Sequence, residues 1–327
     1  MPYNQTKQFF EDLFEGKLTT REIKRKLHEM HTRSENVEEI VIAAKSMRSH
    51  MRKINPKVEG DLIDIVGTGG DKKNTFNFST ASSFVVSGAG YSVAKHCNRA
   101  SSGKFGSVDF LEELGINVEQ ISTINTRKLI EEVGIGFMYS PIYHPAMSHV
   151  AKARKTLGHR SIFNLVGPLV NPTNAQVRLI GAYSYESAKK LYEAARELGI
   201  KKAITIYGMD GTDEASVYTP TMIFESEKPY LIYPGTYFLK HESGNLTVKN
   251  KIESAKIFKR IINGGKKEKD IPFRDELILN SGLAIYAYNT KRPIMDCVTE
   301  ARESLMSGAA RKKFHELIAH KYFSKHL

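Results

Sequence analysis

The 327-residue chain has no tryptophan and only two cysteines, Cys97 and Cys297, two hundred positions apart. So sparse a pair excludes the disulfide framework of a small secreted domain. No apolar run approaches the ~18–20 residues that cross a bilayer, so no membrane partner is expected. The start, Met1-Pro2-Tyr3-Asn4-Gln5, lacks the basic-then-apolar layout of a signal peptide, and Phe9-Phe10-Glu11-Asp12 puts acid where the apolar stretch belongs. The expected location is cytoplasmic. Acid is also missing locally. Residues 143–160 carry Lys152, Arg154, Lys155 and Arg160, and residues 91–107 carry Lys95, Arg99 and Lys104, with no Asp or Glu in either segment. Those seven charges are more than half of the formal net +12.

What is present is ordinary for a globular protein: 41% hydrophobic and 26% charged residues, in a length that suits two domains or one large α/β unit. The positive excess calls for an anionic partner: nucleic acid, an acidic membrane surface or a phosphorylated small molecule. The basic stretch 301–327 reads as the solvated face of a helix. The two acid-free segments are more informative, because both are also rich in Gly, Ser, His and Asn.

The first 55 residues have helical spacing. Phe9, Phe10, Leu13 and Phe14 share one face, Thr19 and Glu22 form a capping box before Ile23 and Leu27, and Val37, Ile40, Val41 and Ala44 form a third apolar face. Pro56 and Gly60 end this block. The period then changes: Leu62–Val66 is a short apolar run, Gly67-Thr68-Gly69-Gly70 a turn, and Phe78–Ala89 a helix, the opening of a βαβ unit. Further strands are expected at 91–94, 135–139, 177–183, 203–207 and 230–233. Helices are expected at 107–114, 126–133, 145–157 and 186–198. The fold class is α/β with a mostly parallel central sheet.

Four constellations carry chemistry. Gly67-Thr68-Gly69-Gly70-Asp71, followed by Asn77-Phe78-Ser79-Thr80, lets backbone approach a ligand and aims helix N–H groups at it. It matches neither a Walker loop nor a dinucleotide fingerprint, and alone it is equally a structural tight turn. Lys95-His96-Cys97-Asn98-Arg99-Ala100-Ser101-Ser102-Gly103-Lys104 follows the next strand, at the edge where parallel sheets bind ligands. For His96 taken alone, a satisfied structural histidine is the lesser alternative. Met147, Val150 and Arg154 share a helix face, so Arg154 either snorkels or meets an anion. Asp213-Glu214, after a strand, suits Mg²⁺, although a solvated acidic turn explains it as well.

Together these strings, with Tyr143-His144-x-Ala146-Met147, Arg154-Lys155-x-Leu157-Gly158 and Ile162-Phe163-Asn164-Leu165-x-Gly167-Pro168-Leu169-x-Asn171-Pro172, resemble the anthranilate phosphoribosyltransferases. The order and spacing are family-like from the N-terminal helices to about residue 235, and looser beyond. The resemblance implies a small helical domain, residues 1–60 with a helical insertion near 143–160 packed on it, and a large α/β domain, residues 61–327, as a homodimer. It implies transfer of the phosphoribosyl group of phosphoribosyl pyrophosphate (PRPP) to anthranilate, in tryptophan biosynthesis. By position, Gly67, Gly70, Asp71, Thr75, Asn77, Phe78, Ser79, Thr80, Lys95 to Gly103 and Ser107 would bind PRPP. Gly67, Asn98 and Arg154 would hold anthranilate, and Ser79, Asp213 and Glu214 would hold Mg²⁺, with two ions per site.

Two positions depart from the family pattern. Cys97 stands where glycine is usual, and Phe105 where serine is common. A Cβ at Cys97 would narrow the acceptor site if the side chain faces it. A pyrimidine-nucleoside phosphorylase of similar fold and a silent nucleic-acid-binding relative are the rivals. Retention of Lys95-His96-x-Asn98-Arg99 and Asp213-Glu214 disfavours both.

Overall fold

A computed structural model of the chain describes residues 3–70, 73–100 and 105–323. Asp71, Ser101, Ser102, Gly103 and Lys104, named above, lie outside the described residues.

The N-terminal block forms three helices: α1 (Tyr3–Phe14), α2 (Thr20–Thr32) and α3 (Val37–Ser49). The capping box expected at the start of α2 is present: the Thr19 N–H donates to Glu22 Oε2 at 2.8 Å and the Glu22 N–H returns to Thr19 Oγ1 at 3.3 Å. Asn36 and Glu39 make the same reciprocal pair ahead of α3. Each cap satisfies helix N–H groups that have no partner within the helix.

The rest of the chain builds one seven-stranded sheet. Its strands are β1 (Ile63–Gly67), β2 (Val93–Cys97), β3 (Ile135–Tyr139), β4 (Val177–Gly181), β5 (Lys202–Gly208), β6 (Thr221–Phe224) and β7 (Tyr230–Ile232), in the order β3-β2-β1-β4-β5-β6-β7. The first five are parallel, as the alternation of strand and helix patterns predicts, while β6 pairs antiparallel with β5 and β7 antiparallel with β6. The chain first moves outward from β1 to β2 and β3, then returns to place β4 on the other side of β1. The strand order therefore reverses at the β1/β4 boundary, where parallel sheets open a crevice at the strand carboxyl ends.

Helices α4 (Phe78–Gly88), α5 (Ser107–Glu113), α6 (Thr123–Val133), α7 (Ser140–Tyr143), α8 (Ser148–Lys155), α9 (Ile162–Val166) and α10 (Tyr185–Glu197) connect the strands. The helix expected over 145–157 is shorter than its pattern: Pro145–Met147 is a 3₁₀ turn, and α-helix begins only at Ser148. Proline at the head of this stretch is compatible with that tight first turn. Four helices follow the sheet: α11 (Lys251–Ile262), α12 (Ile271–Tyr288), α13 (Ile294–Met306) and α14 (Ala309–Ile318).

Two large apolar cores lie on opposite faces of the sheet. One packs α4, α5 and α11 to α14 against the sheet around Phe84, Phe110, Phe258 and Phe314. The other joins the N-terminal helices, α8, α9 and α10 to the opposite face through residues such as Phe10, Leu27, Val150, Phe163 and Leu191. Each fully buried phenylalanine contributes roughly 1.5–3 kcal/mol. α8 packs on α1 and α2, while α3 packs on α9 and α10, so the helical layer continues into the sheet layer.

Candidate active site

The site forms where β1, β2, β4 and β5 end. After β1 the chain enters Thr68-Gly69-Gly70, with Gly69 at φ +60° and Gly70 at φ +80°. This left-handed pair is open to glycine at little steric cost. Thr68 is tied into the sheet by its N–H to the Gly181 carbonyl at 2.9 Å. The Gly69 N–H donates to Asp213 Oδ2 at 2.8 Å, and the Ser79 N–H, in the first turn of α4, donates to Glu214 Oε1 at 3.3 Å. The glycine turn, a helix N-terminus and the carboxylate pair thus meet at one place.

Close packing brings them there. A Cβ on Gly67 would stand 2.7 Å from Asp213 Oδ2, and one on Gly181 would stand 1.6 Å from the Asp213 backbone carbonyl. The segment after Glu214 is held by α12: Asn280 donates to the Ala215 carbonyl and accepts from the Ala215 N–H, both at 2.9 Å, and Glu276 accepts from the Val217 N–H at 3.1 Å.

Burial sets the electrostatics. It drives the Glu214 carboxyl well above the usual carboxylate range, with the Asp213 and Glu276 charges adding to the effect. Lys95 is buried, donates to the Ile65 carbonyl and reaches Ser79 Oγ at 3.2 Å. Burial lowers its pKa, against the upward pull of Asp64, Glu214 and Asp213. Crowded acids beside a hydroxyl at the mouth of a cleft are a donor set suited to a divalent cation that also takes substrate oxygens. The only trio of metal-ligating residue types with converging ligand atoms among the described residues is Glu11, Glu15 and His50, none of which lines this cleft.

The cleft is a cavity of about 270 Å³. Among the residues expected from sequence, Gly67, Gly70, Thr75, Asn77, Ser79, Lys95 to Ala100, Ser107, Arg154, Asp213 and Glu214 all line it. Phe78 and Thr80 do not: both are fully buried in α4. Residues present here but outside the expected set include Thr68, Gly69, Phe163 and Asn164. All four sit inside motifs quoted above, so motif membership was their signal. Asn280 and Glu276 carry a fainter signal, polar groups within the otherwise apolar run of α12.

Arg99 lines the cavity, but its guanidinium is engaged by three carboxylates: Asp109 at 2.6 Å, Glu119 at 2.8 Å, and Glu112. The acid-free stretch ends just before Asp109, and α5 with the turn that follows it folds these acids back onto Arg99. Cys97 is buried and lines the cleft beside His96 at the end of β2. Strand alternation puts Val93, Lys95 and Cys97 on one face and Ala94 and His96 on the other, and Cys97 joins the core beside α4. Phe105 packs against that same core.

A larger cavity of about 1000 Å³ shares Asn98, Met147, Arg154 and Asn164 with the first and is also lined by His144, Pro145 and Arg160. Arg154, on α8, lies over the Phe163 ring at 5.6 Å, and burial lowers its pKa. Its alignment with Met147 thus reflects a place on the wall of both cavities. His96 and His144 sit with ring centroids 5.0 Å apart. Burial holds His96 neutral, with its pKa lowered to about 4, and pushes His144 down to about 2. No helix among the described residues is long and apolar enough to cross a membrane.

A family model described as "Glycosyl transferase family, a/b domain" matches residues 59–311. An anthranilate phosphoribosyltransferase of Acetivibrio thermocellus is 40% identical over 311 residues, 94% of this chain and 88% of the relative. The anthranilate phosphoribosyltransferase from Thermus thermophilus superposes with a TM-score of 0.90 at 32% identity, covering 99% of this chain and 96% of that one. A Saccharomyces cerevisiae anthranilate phosphoribosyltransferase, in complex with PRPP and Mg, superposes with a TM-score of 0.85 at 27% identity, covering 93% of this chain and 85% of that one. Likeness in sequence and in fold over nearly the whole length places the chain in the anthranilate phosphoribosyltransferase family.

Proposed function

We propose that this chain transfers the phosphoribosyl group of PRPP to anthranilate, releasing pyrophosphate, in tryptophan biosynthesis. The observation that carries this reading is the meeting of the glycine turn, the start of α4 and Asp213-Glu214 in one cleft that opens into a chamber walled by Arg154. The first part suits a polyanionic sugar phosphate, the second a small aromatic acid.

The residues divide the work. Gly67, Gly70, Thr75, Asn77 and Ser79 surround PRPP from the β1 side, with the N–H groups at the start of α4 facing phosphate oxygens. Lys95 to Ala100 and Ser107 enclose it from the β2 side, where Lys95 supplies a buried positive charge. Ser79, Asp213 and Glu214 hold Mg²⁺, two ions per site. When bound, Mg²⁺ neutralises the departing pyrophosphate. Asn98, Arg154 and the Gly67 backbone orient anthranilate, Arg154 answering its carboxylate with a charge-assisted hydrogen bond. The anthranilate amine is uncharged near neutral pH, so no strong base is required at the anomeric carbon. Positioning of the two substrates supplies much of the rate.

Residues 1–60 with 143–160 form a small domain that closes on the large α/β domain, residues 61–327, and excludes water from the activated ribose. The cytoplasmic enzyme works as a homodimer. The deciding experiment follows the loss of anthranilate fluorescence with PRPP, with and without Mg²⁺. PRPP- and Mg²⁺-dependent loss is expected. No loss, or phosphorolysis of uridine or thymidine without PRPP, would overturn the reading.

A further inference from the structure

The Gly69-Gly70 turn has no side chains with which to hold its shape. Its Gly69 end is tied by the N–H that donates to Asp213. Its Gly70 end is tied from a different part of the chain. Arg160, in the segment after α8, donates from Nε to the Gly70 carbonyl at 2.9 Å and from a terminal nitrogen to the same oxygen. We propose that Arg160 is a positioning residue, holding the Gly69-Gly70 turn in the shape that receives PRPP. The inference rests on the function proposed above.

Arg160 is itself braced on two sides. Its guanidinium lies 3.8 Å from the centroid of the Tyr183 ring, just beyond β4. A cation over an aromatic face is attracted and oriented there. Its own carbonyl accepts a hydrogen bond from His159 Nδ1 at 2.6 Å. A carbonyl can only accept, so Nδ1 carries the proton and His159 Nε2 is left to accept from His28 Nδ1, 3.0 Å away on α2. The His31 ring, also on α2, stacks on His159 at 4.1 Å. An unbroken series of contacts therefore runs from the helical layer through His159 and Arg160 to the glycine turn.

Two consecutive left-handed glycines have many other backbone states available, and a turn tied only at Gly69 would sample them. PRPP would then have to order the turn on binding, which is measured as weaker PRPP binding with the acceptor site undisturbed. Arg160 also lines the larger cavity, so direct contact with the acceptor is the competing role, and it makes the opposite forecast.

The test uses the full chain with Arg160→Gln, Arg160→Lys, Tyr183→Leu and Tyr183→Phe, and measures KM for each substrate, kcat, PRPP affinity by calorimetry and the melting temperature. Loss of a charge-assisted hydrogen bond predicts that Arg160→Gln raises the PRPP KM and Kd about tenfold or more. The anthranilate KM and kcat should stay within about twofold. Arg160→Lys should be intermediate. Tyr183→Leu should move the PRPP constants in the same direction, and Tyr183→Phe, which keeps the ring, should restore them. An unchanged PRPP Kd in Arg160→Gln and Tyr183→Leu, or a rise in the anthranilate KM alone, would overturn the proposal. If Arg160→Gln does not fold, Arg160→Lys and Tyr183→Leu carry the same comparison. A wild-type protein that turns over no PRPP defeats the proposed function, whereas a functional wild type with indifferent variants defeats only the role of Arg160.

Discussion

Gly181 is neither a ligand nor a turn residue, yet a methyl group there would stand 1.6 Å from the Asp213 carbonyl. Either β4 or the acidic segment must shift to admit it. Gly181→Ala should cost about 1–3 kcal/mol in denaturant unfolding and weaken Mg²⁺-dependent turnover by moving Asp213. An alanine variant with wild-type Mg²⁺ response would show that the contact does not position the carboxylate. The histidines make a prediction of a different kind. His96, with its pKa lowered to about 4, and His144, lowered further, stay neutral in the folded chain at a pH where the unfolded chain binds protons. Their contribution is therefore full above about pH 6.5 and is lost as pH falls from there toward 4, by about 1.4 kcal/mol per pH unit for each. Unfolding free energies at pH 7, 6 and 5 should fall accordingly, and His144→Gln should flatten the profile. An identical slope in that variant would contradict the assignment.

Among the elements, α12 is the one whose importance outruns its sequence signal. Every residue from Asp275 to Ala287 is buried, so the helix has no polar face to mark it as amphipathic. Its two hydrogen bonds from Asn280 clamp Ala215, next to Glu214. Asn280→Ala would leave both backbone groups of Ala215 without these partners, at about 1–3 kcal/mol for each group that stays unsatisfied. The expected result is a lower melting temperature together with a higher Mg²⁺ requirement in the fluorescence assay. A melting-temperature loss with unchanged Mg²⁺ dependence would leave α12 a purely structural element. On the other side of the sheet, Asp64 in β1 accepts from Asn171 Nδ2 at 2.7 Å and from the His96 N–H at 3.1 Å, deep in the core. Asp64→Ala should destabilise by about 3–5 kcal/mol, measurable as a shifted denaturation midpoint. A shift below about 1 kcal/mol would mean that the neighbouring polar groups find other partners.

At the scale of the whole molecule, the charge has a different meaning in three dimensions. The sequence places seven positive charges in two acid-free segments, but Arg99 is met by Asp109, Glu112 and Glu119, and Lys95 is buried near Asp64, Asp213 and Glu214. What reaches the cleft is a small set of placed cations, not a broad basic surface. If the helical layer closes on the sheet layer as proposed, small-angle scattering should show a smaller radius of gyration with PRPP, Mg²⁺ and a non-reactive anthranilate analogue than without them. An unchanged radius would argue for a rigid cleft.

Much of this was legible in the chain order of residues. The capping box at Thr19 and Glu22, the five parallel strands and the strand–turn–helix at Gly67 depend on local spacing, and local spacing is what a sequence displays. The motif residues also announced themselves, although Lys95, His96 and Cys97, expected in the loop after a strand over 91–94, lie inside β2 and pair with β3. Other features depend on distance in space. Nothing near Arg99 in the acid-free stretch reveals that Asp109, Glu112 and Glu119 will all return to it, nor that the His96 ring will lie beside that of His144. Gly181 and Asp213, Asn280 and Ala215, and Arg160 and Gly70 are brought together only by the sheet order. The amino-acid sequence by itself determined the fold class and the kinds of chemistry available. The tertiary structure decided which charges are free to meet a ligand, because burial and pairing arise only when segments far apart in the chain are packed together.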